Sequence, residues 1–343
     1  MQYAILGDSG LPVSRVIFGA MTFTMGNREF PTVFKVDENL AQELVAQALD
    51  AGVNFFDTAD VYAAGDSERV LGKILKARRS EVLIATKVGN RVGTPLIQAG
   101  LNRRHILWSV DQSLRRLGSE WIDVYIVHKE DQFTALEETL QALDDVVRAG
   151  KVRYLGFSNW SAWKASAALE LQRANGWARF SHGQMYYSLL NRDAERDIIP
   201  MMRRYGIGLT AWSPLSGGFL SGKYTPATLS DPDKRYSGFD LLPFDKEHGF
   251  RLVDQIRTIA MRRGCSVAQI ALAWLLSKSA VTSLVMGVST IEQLKDNLGA
   301  VDVQLQNDEI SALDHATPLL AVYPNWVIEG FGDAALKSVM ADR

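Results

Sequence analysis

Residues 122–158 read IDVYIVHKEDQFTALEETLQALDDVVRAGKVRYLGFS. The apolar, β-branched run Ile122–His128 predicts a buried strand. Ala135–Ala149 then carries apolar residues at amphipathic helical spacing, and Gly150 offers a helix stop. Val152–Ser158 is a second strand-like run. A strand, a helix and a strand over this length make a crossover unit that joins parallel strands with right-handed connection. His128 stands at the carboxyl end of the first strand, where parallel α/β folds place their chemistry.

The unit recurs in both directions. Eight strand-like runs are legible: Val16–Gly19, Val53–Asp57, Val82–Lys87, Ile122–His128, Val152–Ser158, Phe180–Gln184, Gly208–Trp212 and Ser283–Gly287. Amphipathic stretches lie between them, such as Glu38–Ala51, Arg104–Leu117, Trp163–Asn175, Ala194–Tyr205 and Ile291–Ala300, and several end at glycine (Gly52, Gly118, Gly206). Eight repeats predict a closed (β/α)8 TIM barrel rather than an open sheet. Ahead of them, Tyr3–Leu6 and Val13–Val16 flank the turn residues Gly7-Asp8-Ser9-Gly10, which predicts an N-terminal β-hairpin. No linker interrupts the pattern, so residues 1–343 read as a single domain. Ser216–Gly249 lacks periodicity and follows the seventh strand, so it is expected to be a long loop over the C-terminal mouth. The aromatics of the tail after Pro318, Tyr323, Trp326 and Phe331, are expected to pack across that mouth.

A net charge of −2 gives no electrostatic reason to expect nucleic acid or an anionic membrane as partner. The one cysteine, Cys265, excludes an intrachain disulfide and a multi-cysteine zinc site. With no signal-peptide pattern and no run long enough for a bilayer, a cytoplasmic protein is expected. Asn159-Trp160-Ser161 then has no meaning as a glycosylation sequon. His105, His182, His248 and His315 fall in separate elements without ligand spacing, so no metal site is expected.

Four polar residues sit at or just after strand ends: Asp57, Tyr62, Lys87 and His128. One such residue alone is more often a cap or an ion-pair partner. A carboxylate, a phenol, an ammonium and an imidazole at one rim make a proton-transfer apparatus. No G-x-G-x-x-G follows a strand, which argues against a Rossmann site. Gly217–Lys223 approaches a P-loop but continues with Tyr224 where a magnesium-binding Ser or Thr is required.

From Leu11 to about Thr317 the chain resembles the aldo-keto reductase superfamily, bacterial-type members and potassium-channel β subunits included. The resemblance rests on Phe18-Gly19-Ala20-Met21, Asp57-Thr58-Ala59-Asp60-Val61-Tyr62, Ala85-Thr86-Lys87, His128-Lys129-Glu130-Asp131, Gly156-Phe157-Ser158-Asn159, Trp212-Ser213-Pro214-Leu215, Ser221-Gly222-Lys223-Tyr224 and Gly287-Val288-Ser289-Thr290, with Gln293 and Asn297. Each motif is weak alone; their order at strand ends is specific. The resemblance implies NAD(P)H-dependent reduction of aldehydes or ketones to alcohols, with Tyr62 as general acid, or as base in the oxidative direction. Physically, a phenol with a pKa of about 10 needs a neighbouring cation to donate well at neutral pH. Lys87 can supply the cation, Asp57 can hold it, and His128 can hydrogen-bond the substrate oxygen.

The resemblance also implies a nicotinamide cofactor laid across the mouth, in contact with Gly19, Met21 and Asp57. Ser158, Asn159 and Gln184 would hold the carboxamide and Trp212 would stack on the nicotinamide. Ser213, Leu215, Gly217 and Lys223 would cradle the pyrophosphate; Gly287, Ser289, Gln293 and Asn297 would hold the adenosine end. Many relatives carry Arg where this chain has Ser289. Relatives with Ser there still bind the phosphorylated cofactor, and a helix beginning near Thr290 offers free N–H groups to an anion. NADPH is therefore favoured, with NADH possible. The substrate pocket is expected to include Met21, Phe23, Lys129 and Trp326, and to take a small carbonyl or alcohol compound. Two other readings remain: a cofactor-binding redox sensor or regulatory subunit, and an unrelated barrel enzyme acting on phosphosugars. The substrate, the favoured direction and the oligomeric state are not legible.

Overall fold

The computed structural model describes residues 1–27, 29–232 and 234–339. Its strands are β1 (Tyr3–Ile5), β2 (Pro12–Ser14), β3 (Val16–Gly19), β4 (Phe55–Asp57), β5 (Leu83–Val88), β6 (Ile122–Val127), β7 (Val152–Ser158), β8 (Phe180–Tyr186), β9 (Gly208–Trp212) and β10 (Val281–Gly287). β3 to β10 are all parallel and close into an eight-stranded barrel, β10 pairing with both β3 and β9. The expected (β/α)8 barrel and its antiparallel hairpin, β1–β2, are both present. The helices are α1 (Glu38–Asp50), α2 (Asp66–Leu75), α3 (Arg103–Leu117), α4 (Leu136–Arg148), α5 (Ala162–Asn175), α6 (Ile198–Tyr205), α7 (Arg235–Gly238), α8 (Lys246–Arg263), α9 (Val267–Ser277), α10 (Ile291–Leu298), α11 (Asn307–Ala316), α12 (Asn325–Gly330) and α13 (Ala334–Val339).

The period of two along each strand divides the side chains. Ile17, Phe55, Ala85, Val124 and Ile126 point inward and pack with Leu6 and Val13 of the hairpin, which closes the lower end. Val16, Phe18, Phe56, Ile84, Tyr125 and Val127 point outward into the layer between barrel and helices. Gly7 lets the hairpin seat closely: its φ is +56°, and a Cβ there would lie 2.5 Å from the Ser181 carbonyl oxygen.

The long irregular stretch is shorter than expected. Asp245 caps α8 through the N–H groups of Glu247 and His248, so the helix begins at Lys246. α9 is buried on nearly every side and carries no amphipathic stripe, which hides it from periodicity. The tail is tied to the rim where β8 leads into α6: Arg192 donates to the carbonyls of Asp314 and Thr317, and Arg196 to that of Leu320. Tyr323 and Phe331 beyond it are exposed.

Inside the barrel His182 is fully buried on β8, in register with Gly156 of β7. A Cβ on Gly156 would meet the His182 ring at 2.3 Å. Gly156→Ala is therefore expected to destabilise by about 1–3 kcal/mol through overpacking. The check is the urea midpoint at neutral pH; an unchanged midpoint would mean that the ring can move aside.

Candidate active site

β4 and β5 pair so that Asp57 lies beside Ala85, two residues short of Lys87 and therefore on the same face of the sheet. Both side chains are buried, Lys87 completely. The Lys87 ammonium has three donors and three acceptors: Asp57 Oδ1 at 2.5 Å, the Thr58 carbonyl at 2.8 Å and Tyr62 Oη at 3.3 Å. Asp57 Oδ2 accepts from Gln184 Nε2 at 2.9 Å. Burial works against the Lys87 charge, but Asp57 and the Tyr62 hydroxyl outweigh it and raise the ammonium pKa. Breaking such a buried pair costs about 3–5 kcal/mol, so each member holds the other in place.

Tyr62 is carried on a strained turn. Ala63 and Ala64, directly after it, have φ of +49° and +56°, which L residues seldom adopt. Strain of this kind concentrates at functional sites. Burial pushes the Tyr62 phenol above its ordinary pKa and the Lys87 cation opposes that push. The phenol is thus a proton holder at neutral pH. Asp60, in the same segment, is a different carboxyl. Its oxygens are buried with no side-chain hydrogen-bond partner among the described residues, and burial followed by the Glu68 charge raises its pKa well above the ordinary carboxylate value.

His128 follows β6 and faces Tyr62 edge-on, with ring centroids 5.7 Å apart. Burial and the charges of Lys87 and Lys129 keep its pKa well below that of an ordinary histidine. Its Nδ1 lies 3.0 Å from Asn90 Nδ2. The four expected tetrad residues therefore meet at one rim, the Tyr62 and His128 rings in edge contact beside Lys87.

The residues expected at the cofactor also gather at this mouth. Ser158 and Asn159 do not cap α5. Ser158 Oγ donates to the Gln184 carbonyl, and Asn159, at φ +55°, donates to the His128 carbonyl and accepts from Trp212 Nε1 at 3.0 Å. Trp212 lies against Tyr186, with ring centroids 4.9 Å apart. After β9 the backbone is left-handed at Ser213, Ser216, Gly217 and Gly218, and Tyr236 pins this loop through the Ser216 carbonyl. Leu215 accepts from the Gly218 N–H. Partial burial and the like charges of Lys35, Lys234 and Arg235 lower the Lys223 pKa to about 8. At the end of β10, Gly287 pairs with Gly19. Ser289 donates to Gln293 Oε1, Thr290 caps α10, and Asn297 is buried within that helix. Lys223 beside Gly218 and Arg235 beside Gly217, with a run of left-handed backbone, are a donor set suited to a dinucleotide pyrophosphate.

The substrate-pocket residues divide. Met21 packs with Val33, Phe34 and Ala63 beside Tyr62. Lys129 is exposed at the rim next to His128. Phe23 needs correction: it is fully buried beneath the rim, its ring 5.7 Å from that of Phe18, so it supports the core rather than lining a pocket. Its place in the turn after β3 gave no sign of which way the ring points. The rings that roof this side are Phe30, Phe34 and Phe239, with centroids 5.7 and 5.4 Å apart. Trp326 is half-exposed and its ring partner is Phe331 of its own tail. Asn90 and Arg235 were not picked out from sequence. Asn90 is the third residue after Lys87; Arg235 adjoins an aromatic in a long loop, its guanidinium 5.1 Å from the Phe239 ring.

The family model described as "Aldo/keto reductase family" matches residues 15–317. The chain is 35% identical to the versiconal hemiacetal acetate reductase of Aspergillus parasiticus, over 94% of this chain and 99% of that protein. It is 32% identical to an aldo-keto reductase of Fusarium vanettenii, over 90% and 89%. It is also 35% identical to a Schizosaccharomyces pombe protein provisionally named voltage-gated potassium channel subunit beta, over 88% of each chain.

Proposed function

The chain belongs to the aldo/keto reductase family of oxidoreductases, and from that premise we infer that it reversibly reduces aldehydes or ketones to alcohols with NADPH. One observation carries the reading: a fully buried Lys87 whose three donors go to Asp57, the Thr58 carbonyl and the Tyr62 hydroxyl, opposite His128. The likeness to a reductase and to a channel subunit supports a nicotinamide site but leaves the substrate open. A cytoplasmic location is part of the same proposal. Among the described residues no single helix is long and apolar enough to cross a membrane.

The bound cofactor would supply the hydride. Ser158, Asn159, Gln184 and Trp212 would hold its nicotinamide end, Ser213, Leu215, Gly217, Lys223 and Arg235 its phosphates, and Ser289, Gln293 and Asn297 its adenosine end. With Nε2 of Gln184 committed to Asp57, its amide oxygen is left as the acceptor for a carboxamide. The protein's own steps are short. His128 orients the carbonyl oxygen. Tyr62 gives that oxygen its proton, and the Lys87 charge stabilises the phenolate left behind. Asp57 keeps Lys87 charged and aimed. In oxidation the phenolate takes the proton back.

The test is consumption of NADPH and of NADH with a panel of aromatic, aliphatic and sugar aldehydes. Turnover with NADPH preferred is the expected result, and a preference for NADH would overturn the cofactor assignment. Quenching of Trp fluorescence by NADPH with no turnover across the panel would favour a sensor. Absence of binding by either cofactor would sink the proposal.

A further inference from the structure

We propose that Asn90 is a positioning residue that fixes the His128 ring with its proton on Nε2, so that the imidazole meets substrate as a neutral hydrogen-bond donor. β5 and β6 run in register to Val88 and Val127, and the His128 N–H donates to the Val88 carbonyl. Gly89 follows at φ +123°, a conformation open to glycine, and turns the chain over the end of β6. That turn delivers the Asn90 amide to the His128 ring, with Nδ2 3.0 Å from Nδ1.

An amide NH2 group only donates, so the ring nitrogen it meets must accept. A neutral imidazole with an accepting Nδ1 carries its proton on Nε2. The groups facing the ring agree with neutrality: Lys87 on β5 and Lys129 on the loop after β6 are both cations that disfavour an imidazolium, and Tyr62 presents an uncharged ring edge. Without the Asn90 donor, nothing in this contact selects one tautomer. The wrong one would present a lone pair to the carbonyl oxygen and repel it. Asn90 touches no reacting atom; it acts through His128.

The effect on turnover rests on the reductase reading, whereas the effect on the ring does not. The experiment therefore reads both on the full chain: ring 15N shifts of His128 without cofactor or substrate, assigned by comparison with His128→Gln, and kcat and KM with NADPH and a turned-over aldehyde. In the wild type the shifts are expected to show protonated Nε2 and bare Nδ1. Asn90→Leu should mix the tautomers and lower kcat/KM about tenfold to a hundredfold, less than the roughly 10²–10³-fold cost of removing an oxyanion donor outright. Asn90→Asp, isosteric but accepting, should move the proton onto Nδ1 or charge the ring. A wild-type ring protonated on Nδ1 alone overturns the proposal, as does an Asn90→Leu ring indistinguishable from wild type. Altered shifts in both variants, with no turnover by any protein, would support Asn90's place and sink only the reductase reading.

Discussion

Tyr62→Phe is expected to lower kcat by about 10²–10⁴-fold, the usual contribution of a positioned general acid, while NADPH affinity changes by no more than about twofold. The change removes one hydroxyl from the end of a hydrogen-bond chain. Lys87 keeps Asp57 at 2.5 Å and the Thr58 carbonyl at 2.8 Å, so its charge stays compensated. The strained turn through Ala63 and Ala64 is backbone geometry and does not depend on the phenol oxygen. Stability should therefore hold while chemistry fails. Lys87→Met should separate from it cleanly. It abolishes proton donation as well, but it strands the buried Asp57 carboxylate without its cation and should cost about 3–5 kcal/mol of stability. Steady-state kinetics, a fluorescence titration with NADPH and urea midpoints on the two variants make the comparison. Wild-type turnover in Tyr62→Phe would remove Tyr62 from the mechanism.

The pH dependence follows from the same contacts. Burial holds the Tyr62 phenol protonated above its ordinary range. Reduction, which needs the proton, should be flat through neutral pH. Oxidation, which needs the phenolate, should climb as pH rises.

The barrel was legible because its signal is repetition. Each strand is a short apolar run, most of the helices between them carry an apolar stripe, and Gly118 and Gly206 end α3 and α6 in the left-handed region. The meeting of Asp57, Lys87 and His128 was legible because each stands at or just past the carboxyl end of a short apolar run. What escaped depends on direction rather than position. Phe23 and Phe34 are both aromatics of the turn after β3, yet one is sunk against Phe18 and the other roofs Met21. Asn90 matters through a hydrogen bond to a residue 38 positions away. Arg235 reaches the cofactor-like motifs through a loop whose path no periodicity records. His182 looked like an ordinary strand residue, and only closure of the barrel buries it completely.

That placement gives the second large effect, a loss of stability in mild acid. His182 is fully buried, neither ring nitrogen has a hydrogen-bond partner among the described residues, and Gly156 packs directly on the ring. Burial, with the Lys87 charge added, lowers its pKa to about 3. In the unfolded chain the group titrates near 6.5. Between these values the unfolded chain holds a proton that the folded chain refuses, so acid favours unfolding. The contribution is whole above pH 6.5, falls by about 1.4 kcal/mol per pH unit below it, and reaches on the order of 4–5 kcal/mol lost by pH 3. His182→Leu removes the titration and keeps most of the volume. It should be close to neutral or stabilising at pH 7, since it also removes an unpaired polar group whose burial costs about 1–3 kcal/mol. Below pH 6.5 it should gain steadily on the wild type. Urea unfolding at pH 7, 6, 5 and 4 measures the gap. His105 and His128 titrate in both proteins and cancel in the difference, so a gap that stays constant with pH would mean that His182 keeps an ordinary pKa and has a polar partner inside the barrel.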